Sequence, residues 1–218
     1  MTGTSGTPAS LLALADWRRQ AAALYGEVRR LAESDPAVAH EYWRSVREQL
    51  YREHPQSPLP PQRRLAFAAR HYPYDPTLRF EVALVGDEAG SRTERSLPMS
   101  SNPDDGSGLR FRRIGWIALQ FPPGPRRLAV FWMEGYTGGL YLPFRDATNG
   151  TETYGAGRYL LDGGKGADLG GDTARGTLIV DFNFAYHPSC AFDPRWVCPL
   201  APTENWLDIP IRAGERIR

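Results

Sequence analysis

The stretch TLIVDFNFAYHPSCAFDPRWVCPLAPTEN, residues 177–205, carries the strongest indication of the fold, because it begins with the pattern of a half-buried strand. Side chains alternate between the two faces of a strand, so the apolar residues at even-numbered positions would enter the core. Asp181 and Asn183 would then share the opposite face. His187 and Pro188 end the pattern, and the later prolines cannot continue a sheet interior because proline lacks the backbone donor. The sequence therefore predicts one strand followed by a long ordered loop.

The same two-residue period recurs elsewhere in the chain. Residues 78–84 alternate apolar and charged side chains, and apolar runs at 110–120 and 127–133 flank FPPGP, which predicts a hairpin. Further runs at 139–144 and 207–211 bring the total to about seven to nine short strands. A parallel sheet needs long helical crossovers, which this pattern lacks. We predict an α+β, mainly β fold, with an N-terminal helical pair packed on an antiparallel β-barrel or curled β-sandwich.

Two amphipathic helices are predicted before the strands. Apolar residues recur at spacings of three and four from Leu14 to Leu31, and again from Val38 to Leu50. Asp35 followed by Pro36 is typical of a helix start. We expect the pair to cover one side of the sheet, and a partner-binding helical arm is the alternative.

The domain organisation follows from these patterns. We expect a single domain made of a disordered tail at residues 1–9, helices at 10–53 and an antiparallel β domain with long C-terminal loops at 54–218. Residues 86–108 and 162–175 are predicted as Gly- and Asp-rich loops. Their glycines do not follow a strand and open a helix, so no phosphate-binding loop is expected.

The composition excludes several classes of partner. The 26 basic and 25 acidic residues give a net charge of +1, and no basic block is interleaved with aromatics, so nucleic acid is not expected. No apolar stretch approaches the roughly 18 residues that span a bilayer, and the first ten residues lack a signal-peptide pattern. We expect no membrane partner and a cytoplasmic location. A homo-oligomer is left open.

A second polar segment, PFRDATNGTETYGAGRYLLD, occupies residues 143–162. Its glycines allow tight turns or the close approach of a ligand. Asp146 and Glu152, together with Asp181, are the candidate catalytic residues, because paired carboxylates can act as acid and base or hold a hydrated divalent ion. The alternative is that Asp146 and Asp181 accept backbone N–H bonds in turns.

We expect this segment and the 181–205 loop to form one pocket. Arg158 would engage an anionic group of a ligand, or else pair with Asp146 or Asp181 as a structural ion pair. Tyrosines would supply amphipathic walls, although they are equally common in a core. The candidate ligand-binding residues are Arg145, Tyr154, Arg158, Tyr159, Asp181, Asn183, Tyr186 and Asn205.

His187, Cys190 and Cys198 are weak candidates for a metal site. Structural zinc sites use four ligands at paired short spacings, which these three do not supply, so no metal or cofactor is predicted. The cysteines could form a redox pair if the loop brings their Cα atoms within about 4.4–6.8 Å. Inert buried thiols are the favoured interpretation, and a nucleophile activated by His187 is disfavoured.

Four fragments, HPQSPL, PFRDATNGTETYGAGRYL, DFNFAYHPSCAF and CPLAPTENWLDIPIRAGER, resemble the domain-of-unknown-function family 1684 (DUF1684) of bacteria and archaea. The resemblance runs from about Trp43 to the C-terminus and implies no assigned activity. His187 departs from it, since the family pattern has asparagine in AYNP. This departure argues against an essential base or ligand at position 187.

Three functions are compatible with these patterns. The first is binding of a small, anionic molecule in a polar pocket. The second is a hydrolase or other acid–base enzyme that uses Asp146, Glu152 or Asp181. The third is a non-catalytic interaction protein. The sequence leaves open whether the protein is an enzyme.

Overall fold

The computed structural model describes residues 7–87, 94–95, 109–135 and 138–217, and it begins with two long helices. Helix α1 spans Pro8–Ala32, helix α2 spans Pro36–Glu53, and a short α3 spans Pro61–Arg64. The Asp35 carboxylate accepts the backbone N–H groups of Ala37 and Val38, so the predicted start of α2 is confirmed.

The tail that the sequence predicts for residues 1–9 falls mostly outside the described residues, and α1 already begins at Pro8. Most of the predicted 86–108 loop also lies outside them.

The rest of the fold is built mainly from antiparallel strands. They are β1 (Arg70–His71), β2 (Arg79–Ala83), β3 (Val85–Gly86), β4 (Glu94–Arg95), β5 (Phe111–Phe121), β6 (Gly124–Met133), β7 (Leu140–Phe144), β8 (Arg158–Asp162), β9 (Gly171–Asp172), β10 (Thr177–Asp181) and β11 (Glu215–Arg216). One sheet has the order β3-β5-β6-β7-β8, with β4 also paired to β5; a second has the order β2-β10-β9; a third pairs β1 with β11. Within the described ranges these sheets are open, and none closes into a barrel.

The predicted hairpin is confirmed by β5 and β6, which pair along their whole length. The strand predicted at 207–211 is absent from the described secondary structure, because Pro210 removes a backbone donor and the segment pairs only locally. The 207–211 segment still lies beside the residues that come directly after β7. Leu207 N donates to the Arg145 carbonyl, and Ala147 N donates to the Ile209 carbonyl.

The strand at 177 is shorter than the sequence predicts. β10 ends at Asp181, and residues Phe182–Phe184 form a 3-10 turn that the Asp181 carboxylate caps by accepting Asn183 N. The prediction that Asp181 and Asn183 share one strand face is therefore wrong. Every residue from Val180 to Pro188 is buried, so this segment has no solvent face.

The helices cover one side of the β structure. Trp43 of α2 is fully buried, its Nε1 donates to Tyr25 Oη of α1 at 3.1 Å, and both pack with Phe184 and Tyr186. The buried face of α2 is rotated about the helix axis relative to the apolar face that the sequence predicts, because Val38 of the predicted face is 49% exposed. No helix in the described ranges combines the length and the apolar character needed to cross a membrane.

Candidate functional site

The predicted arginine and one predicted carboxylate meet in the interior. β7 and β8 place Phe144 opposite Arg158, and the connection between the two strands carries Asp146. Gly157 adopts a φ of +99°, and a Cβ there would lie 2.5 Å from the Phe144 carbonyl oxygen, so this close approach requires glycine. Arg158 Nη2 donates to Asp146 Oδ2 at 2.8 Å, and both side chains are fully buried.

Protein groups occupy the terminal nitrogens of Arg158. Nη1 donates to the carbonyls of Ala213 and Glu215, and Nη2 also donates to the carbonyl of Ile211 at 2.8 Å. Asp146 in turn accepts Thr148 N at 2.7 Å. The pair therefore ties the C-terminal segment to the β7–β8 connection.

Glu152 lies at the surface near this pair. Its carboxylate accepts hydrogen bonds from Arg212 at 2.8 Å and from Tyr72 Oη at 3.0 Å. The hydrogen bonds from Arg212 and then from Tyr72 lower the pKa of Glu152, so it is held as a carboxylate.

The predicted tyrosine walls are engaged by loop and strand groups. Tyr159 Oη donates to the Pro199 carbonyl, and Tyr154 Oη donates to the Cys190 carbonyl at 3.4 Å. Tyr186 Oη donates to the Asp162 carboxylate at 3.4 Å. The guanidinium of Arg145, also in the predicted set, stacks 4.2 Å from the Trp206 ring centroid.

Asn205 is fully buried and joins two strands to the C-terminal loop. Its amide accepts Ala129 N at 2.8 Å and donates to the carbonyls of Ala129 and Pro143 at 2.9 and 2.7 Å.

Asn205→Ala is expected to lower the free energy of unfolding by about 2 kcal/mol, because it leaves buried backbone groups without partners. Urea unfolding measures the change. Asn149→Ala, which removes a partly buried amide, is the matched comparison, and an equal loss in both variants would contradict a special role for Asn205.

Asp181 and Asn183 form a separate hydrogen-bonded pair. Asn183 Nδ2 donates to Asp181 Oδ1 at 2.8 Å, while Asn183 Oδ1 accepts Asp75 N at 2.8 Å. No hydrogen bond or ion pair among the described residues joins them to Asp146 or Arg158. Asp181 and Asn183 therefore do not share a hydrogen-bonded site with Asp146 and Arg158, although Tyr154 and Tyr159 connect the two predicted segments elsewhere.

Asp181 belongs instead to a group of side chains with unused hydrogen-bonding atoms. Asp181 Oδ2, Tyr74 Oη, His40 Nε2 and both ring nitrogens of His71 are buried and make no hydrogen bond of good geometry in the described part of the chain, although the side chains of Tyr74 and Asp181 interact with each other. The His40 ring lies 5.5 Å from the Tyr74 ring and 6.0 Å from the His71 ring. We call His40, His71, Tyr74 and Asp181 the histidine cluster.

Burial controls the ionisation of the histidine cluster. It raises the pKa of Asp181 to about 6, against the hydrogen bonds from Asn183. It lowers the pKa of His40 and of His71 to about 4, and the nearby positive charge of Arg44 acts in the same direction. At neutral pH both imidazoles are therefore uncharged, and each can donate at one nitrogen and accept at the other.

His71 connects the cluster to a surface cavity of about 460 Å³. Helix α2 supplies most of the cavity wall, including Arg44, Ser45 and Glu48. Glu48 accepts the backbone N–H of Ala69, which holds the segment before β1 against α2. The cavity is thus a polar groove between α2 and β1 with an imidazole in its lining.

A buried ion pair lies behind the cluster. Glu215 Oε1 accepts Arg47 Nε at 2.9 Å, and Oε2 accepts the backbone N–H of His187 at 2.7 Å. Burial acts to raise the pKa of Glu215, but Arg47 and His187 outweigh it and lower the pKa to about 2. Burial lowers the pKa of His187 to about 4, and its Nε2 accepts Tyr154 N at 3.3 Å.

The cysteines lie close together in the C-terminal loop, where Cys190 N donates to Cys198 Sγ at 3.4 Å. Among the residues that the structure describes, no three His, Cys, Asp or Glu side chains are placed to hold a metal ion, and this includes His187 with the two cysteines.

Sequence reasoning missed His40, His71, Tyr74 and Arg44. These residues are far from Asp181 in sequence, and only the packing of α2 and β1 on the end of β10 brings them together. The segment HYPYDP at residues 71–76, rich in aromatic and polar residues between prolines, is the signal that could have indicated them.

Comparisons with known proteins agree with this fold. The solution NMR structure of an uncharacterised protein from Haloarcula marismortui has a TM-score of 0.58 and 31% identity, and the match covers 80% of this chain and 90% of that chain. No curated protein matches the chain. The model of the family described as "Protein of unknown function (DUF1684)" matches residues 66–216, which include His71, Tyr74 and Asp181. The chain therefore belongs to the DUF1684 family.

Proposed function

We propose that this protein binds a small polar molecule at the histidine cluster, through the groove between α2 and β1. The observation that carries the proposal is the concentration of buried polar atoms without a well-formed hydrogen bond on His40, His71 and the interacting pair of Tyr74 and Asp181. Buried polar groups in native proteins almost always have partners, so several without one in the same place indicate groups that serve a ligand.

The chemistry of the groove limits the class of ligand. A neutral imidazole at His71 offers one donor and one acceptor to a hydroxyl or carbonyl group. Arg44 is an exposed cation in the cavity lining and makes no ion pair with the described residues. A small molecule with a carboxylate or phosphate beside Arg44 and a hydroxyl beside His71 fits both features.

Arg158 has a scaffold role in this proposal. Its Nη atoms bond Asp146 and three backbone carbonyls, which leaves them unavailable to an anionic ligand. Of the residues that the sequence predicts for a pocket, the proposal keeps Asp181, while Asn183 is occupied by Asp75 and Asp181.

We also propose that the two larger sheets form a curled sandwich, with a shared hydrophobic core between them. Ile117, Leu128 and Phe144 of one sheet cluster with Val180 of the other and with Phe182, which supports this arrangement.

An acid–base enzyme is the second candidate. Asp181 favours it, since a carboxyl group with a pKa of about 6 can both hold and release a proton near neutral pH. Asp181 is only 1% exposed, however, and does not line the cavity. Binding at His71, which lines the cavity, does not require access to Asp181, whereas turnover by Asp181 does, so binding accounts for the geometry more directly.

Titration with acetate, inorganic phosphate and nucleoside monophosphates, followed by the NMR signals of the histidine rings, tests the proposal. The signals of His71 and His40 are expected to shift, while those of His54, which packs on Trp17 of α1, stay in place. Arg44→Ala should weaken binding about tenfold without unfolding the protein, because it removes one exposed charge-assisted contact.

A second exposed arginine of α2, Arg52, provides the matched control. Arg52 also lines the cavity, but it pairs with Glu48 at 3.2 Å, so Arg52→Ala is expected to weaken binding less than Arg44→Ala. Equal shifts of all four histidines, or equal affinity in the wild type and Arg44→Ala, would contradict the proposed site.

A further inference from the structure

The two cysteines meet across a loop that is held in place at several points. Cys190 lies in the 3-10 turn Ser189–Ala191 and is partly exposed, whereas Cys198 is buried. The backbone N–H of Cys190 donates to Cys198 Sγ at 3.4 Å, although the residues are eight positions apart. Adding one N–Cα bond to that distance places the Cys190 Cα within about 5 Å of the Cys198 sulfur.

The two thiols also act on each other directly. A hydrogen bond with the Cys190 side chain is the largest effect that raises the pKa of Cys198, ahead of burial, while the charge of Lys165 acts in the opposite direction. The two thiol side chains are therefore close enough to interact, which is the condition for joining them as a disulfide.

The surrounding contacts hold both ends of the loop in position. Tyr141 and Tyr159 donate their hydroxyls to the carbonyl of Pro199, next to Cys198. Arg63 Nη1 donates to the carbonyl of Phe192 at 3.0 Å, two residues after Cys190. Little backbone movement is then needed to join the sulfurs, which distinguishes this pair from two thiols on a loose loop.

We propose that Cys190 and Cys198 form a reversible intramolecular disulfide, which makes this loop a site of thiol oxidation. The oxidant is a low-molecular-weight disulfide, RSSR. The Cys190 thiolate attacks one sulfur of RSSR, forming a mixed disulfide and releasing RS⁻. Cys198 then loses its proton to solvent and attacks Cys190 Sγ, which forms the internal disulfide and releases a second RS⁻. The two thiols give up two electrons and two protons, and RSSR is reduced to two RSH.

The order of these steps follows from exposure and ionisation. Cys190 is the more exposed of the two residues, so its thiolate meets the oxidant from solvent first. The raised pKa of Cys198 makes it a poor nucleophile towards external reagents, yet its contact with Cys190 gives it a high effective concentration for the second step.

Incubation of the folded protein with oxidised glutathione, followed by acid quenching and mass spectrometry, tests the proposal. The wild type is expected to lose two hydrogen atoms in mass, carry no glutathione and yield one cross-linked peptide that contains both cysteines. Although the bridge closes only a short loop, it still removes conformational entropy from the unfolded chain, and the oxidised protein should melt about 5 °C above the reduced protein.

Two variants separate the steps. Cys198→Ala, which fills the buried position with another apolar group, should stop at a stable glutathione adduct on Cys190. Cys190→Ser should remain unmodified. Persistent adducts on the wild type, disulfide-linked dimers, or no reaction in the folded chain under conditions that oxidise the unfolded chain would each overturn the proposal. The result does not depend on the histidine cluster.

Discussion

Arg158→Met is expected to lower the free energy of unfolding by about 3–5 kcal/mol, because it leaves the Asp146 carboxylate buried without its counter-charge. Both side chains are fully buried, and the ion pair joins them at 2.8 Å. The substitution also removes the donors to the carbonyls of Ile211, Ala213 and Glu215, so the C-terminal segment loses its anchor. Denaturant unfolding at pH 7 measures the loss.

An exposed ion pair serves as the matched control. Arg126 and Asp208 also form an ion pair, but their side chains are 26% and 71% exposed. Arg126→Met should therefore cost less than about 1 kcal/mol. A double variant, Asp146→Asn with Arg158→Met, should be more stable than the sum of the two single losses predicts, because the buried charge is gone. If Arg158→Met is as stable as Arg126→Met, the structural role of Arg158 is contradicted, and a ligand-binding role is again favoured.

The sequence left two roles open for Arg158, a ligand-binding group or a member of a structural ion pair, and only its tertiary contacts distinguish them. Its neighbours in sequence, Gly157 and Tyr159, are compatible with either a ligand clamp or a structural pair. The partners that favour a structural pair come from residues 211–215, more than fifty positions away. A local pattern contains no information on such contacts, whereas the helices and the β5–β6 hairpin depend on local periodicity and turn residues and are predicted correctly.

The misjudged strand at 177 has a related cause. The alternating pattern continues beyond Asp181, but the Asp181 side chain caps a 3-10 turn and both faces of the segment are buried. Side-chain competition for backbone N–H groups ended the strand where periodicity alone would continue it. The Asp181 side chain also interacts with Tyr74, a contact between residues far apart in sequence that the alternating pattern does not reveal.

Acidification is expected to destabilise the protein strongly between pH 6.5 and 4. Burial lowers the pKa of His40, His71 and His187 to about 4, against an ordinary value of 6.5 in the unfolded chain. The unfolded state therefore binds protons first as the pH falls. Each histidine contributes stability that is complete above pH 6.5, and about 3 kcal/mol of it is lost by pH 4.

Two carboxyl groups modify this dependence. The pKa of Asp181 is raised to about 6, so the folded state binds its proton first, and this regains up to about 3 kcal/mol as the pH falls from 6 to 4. The pKa of Glu215 is lowered to about 2, so its contribution is lost only below pH 4.5. The net loss between pH 7 and 4 is roughly 6 kcal/mol, which is comparable with the whole stability of a typical domain.

His187→Asn isolates one histidine from this effect. Asparagine does not titrate, but its shorter side chain does not replace the acceptor that His187 Nε2 provides to the Tyr154 N–H at 3.3 Å, so the pH dependence and not the absolute stability is compared. The variant should therefore lose about 3 kcal/mol less than the wild type between pH 7 and 4 in urea unfolding. Parallel pH profiles for the two proteins would show that His187 is protonated equally in the folded and unfolded states. Burial would then fail to keep this imidazole neutral against the opposing charge of Glu215, because only a difference in proton binding between the two states produces a slope.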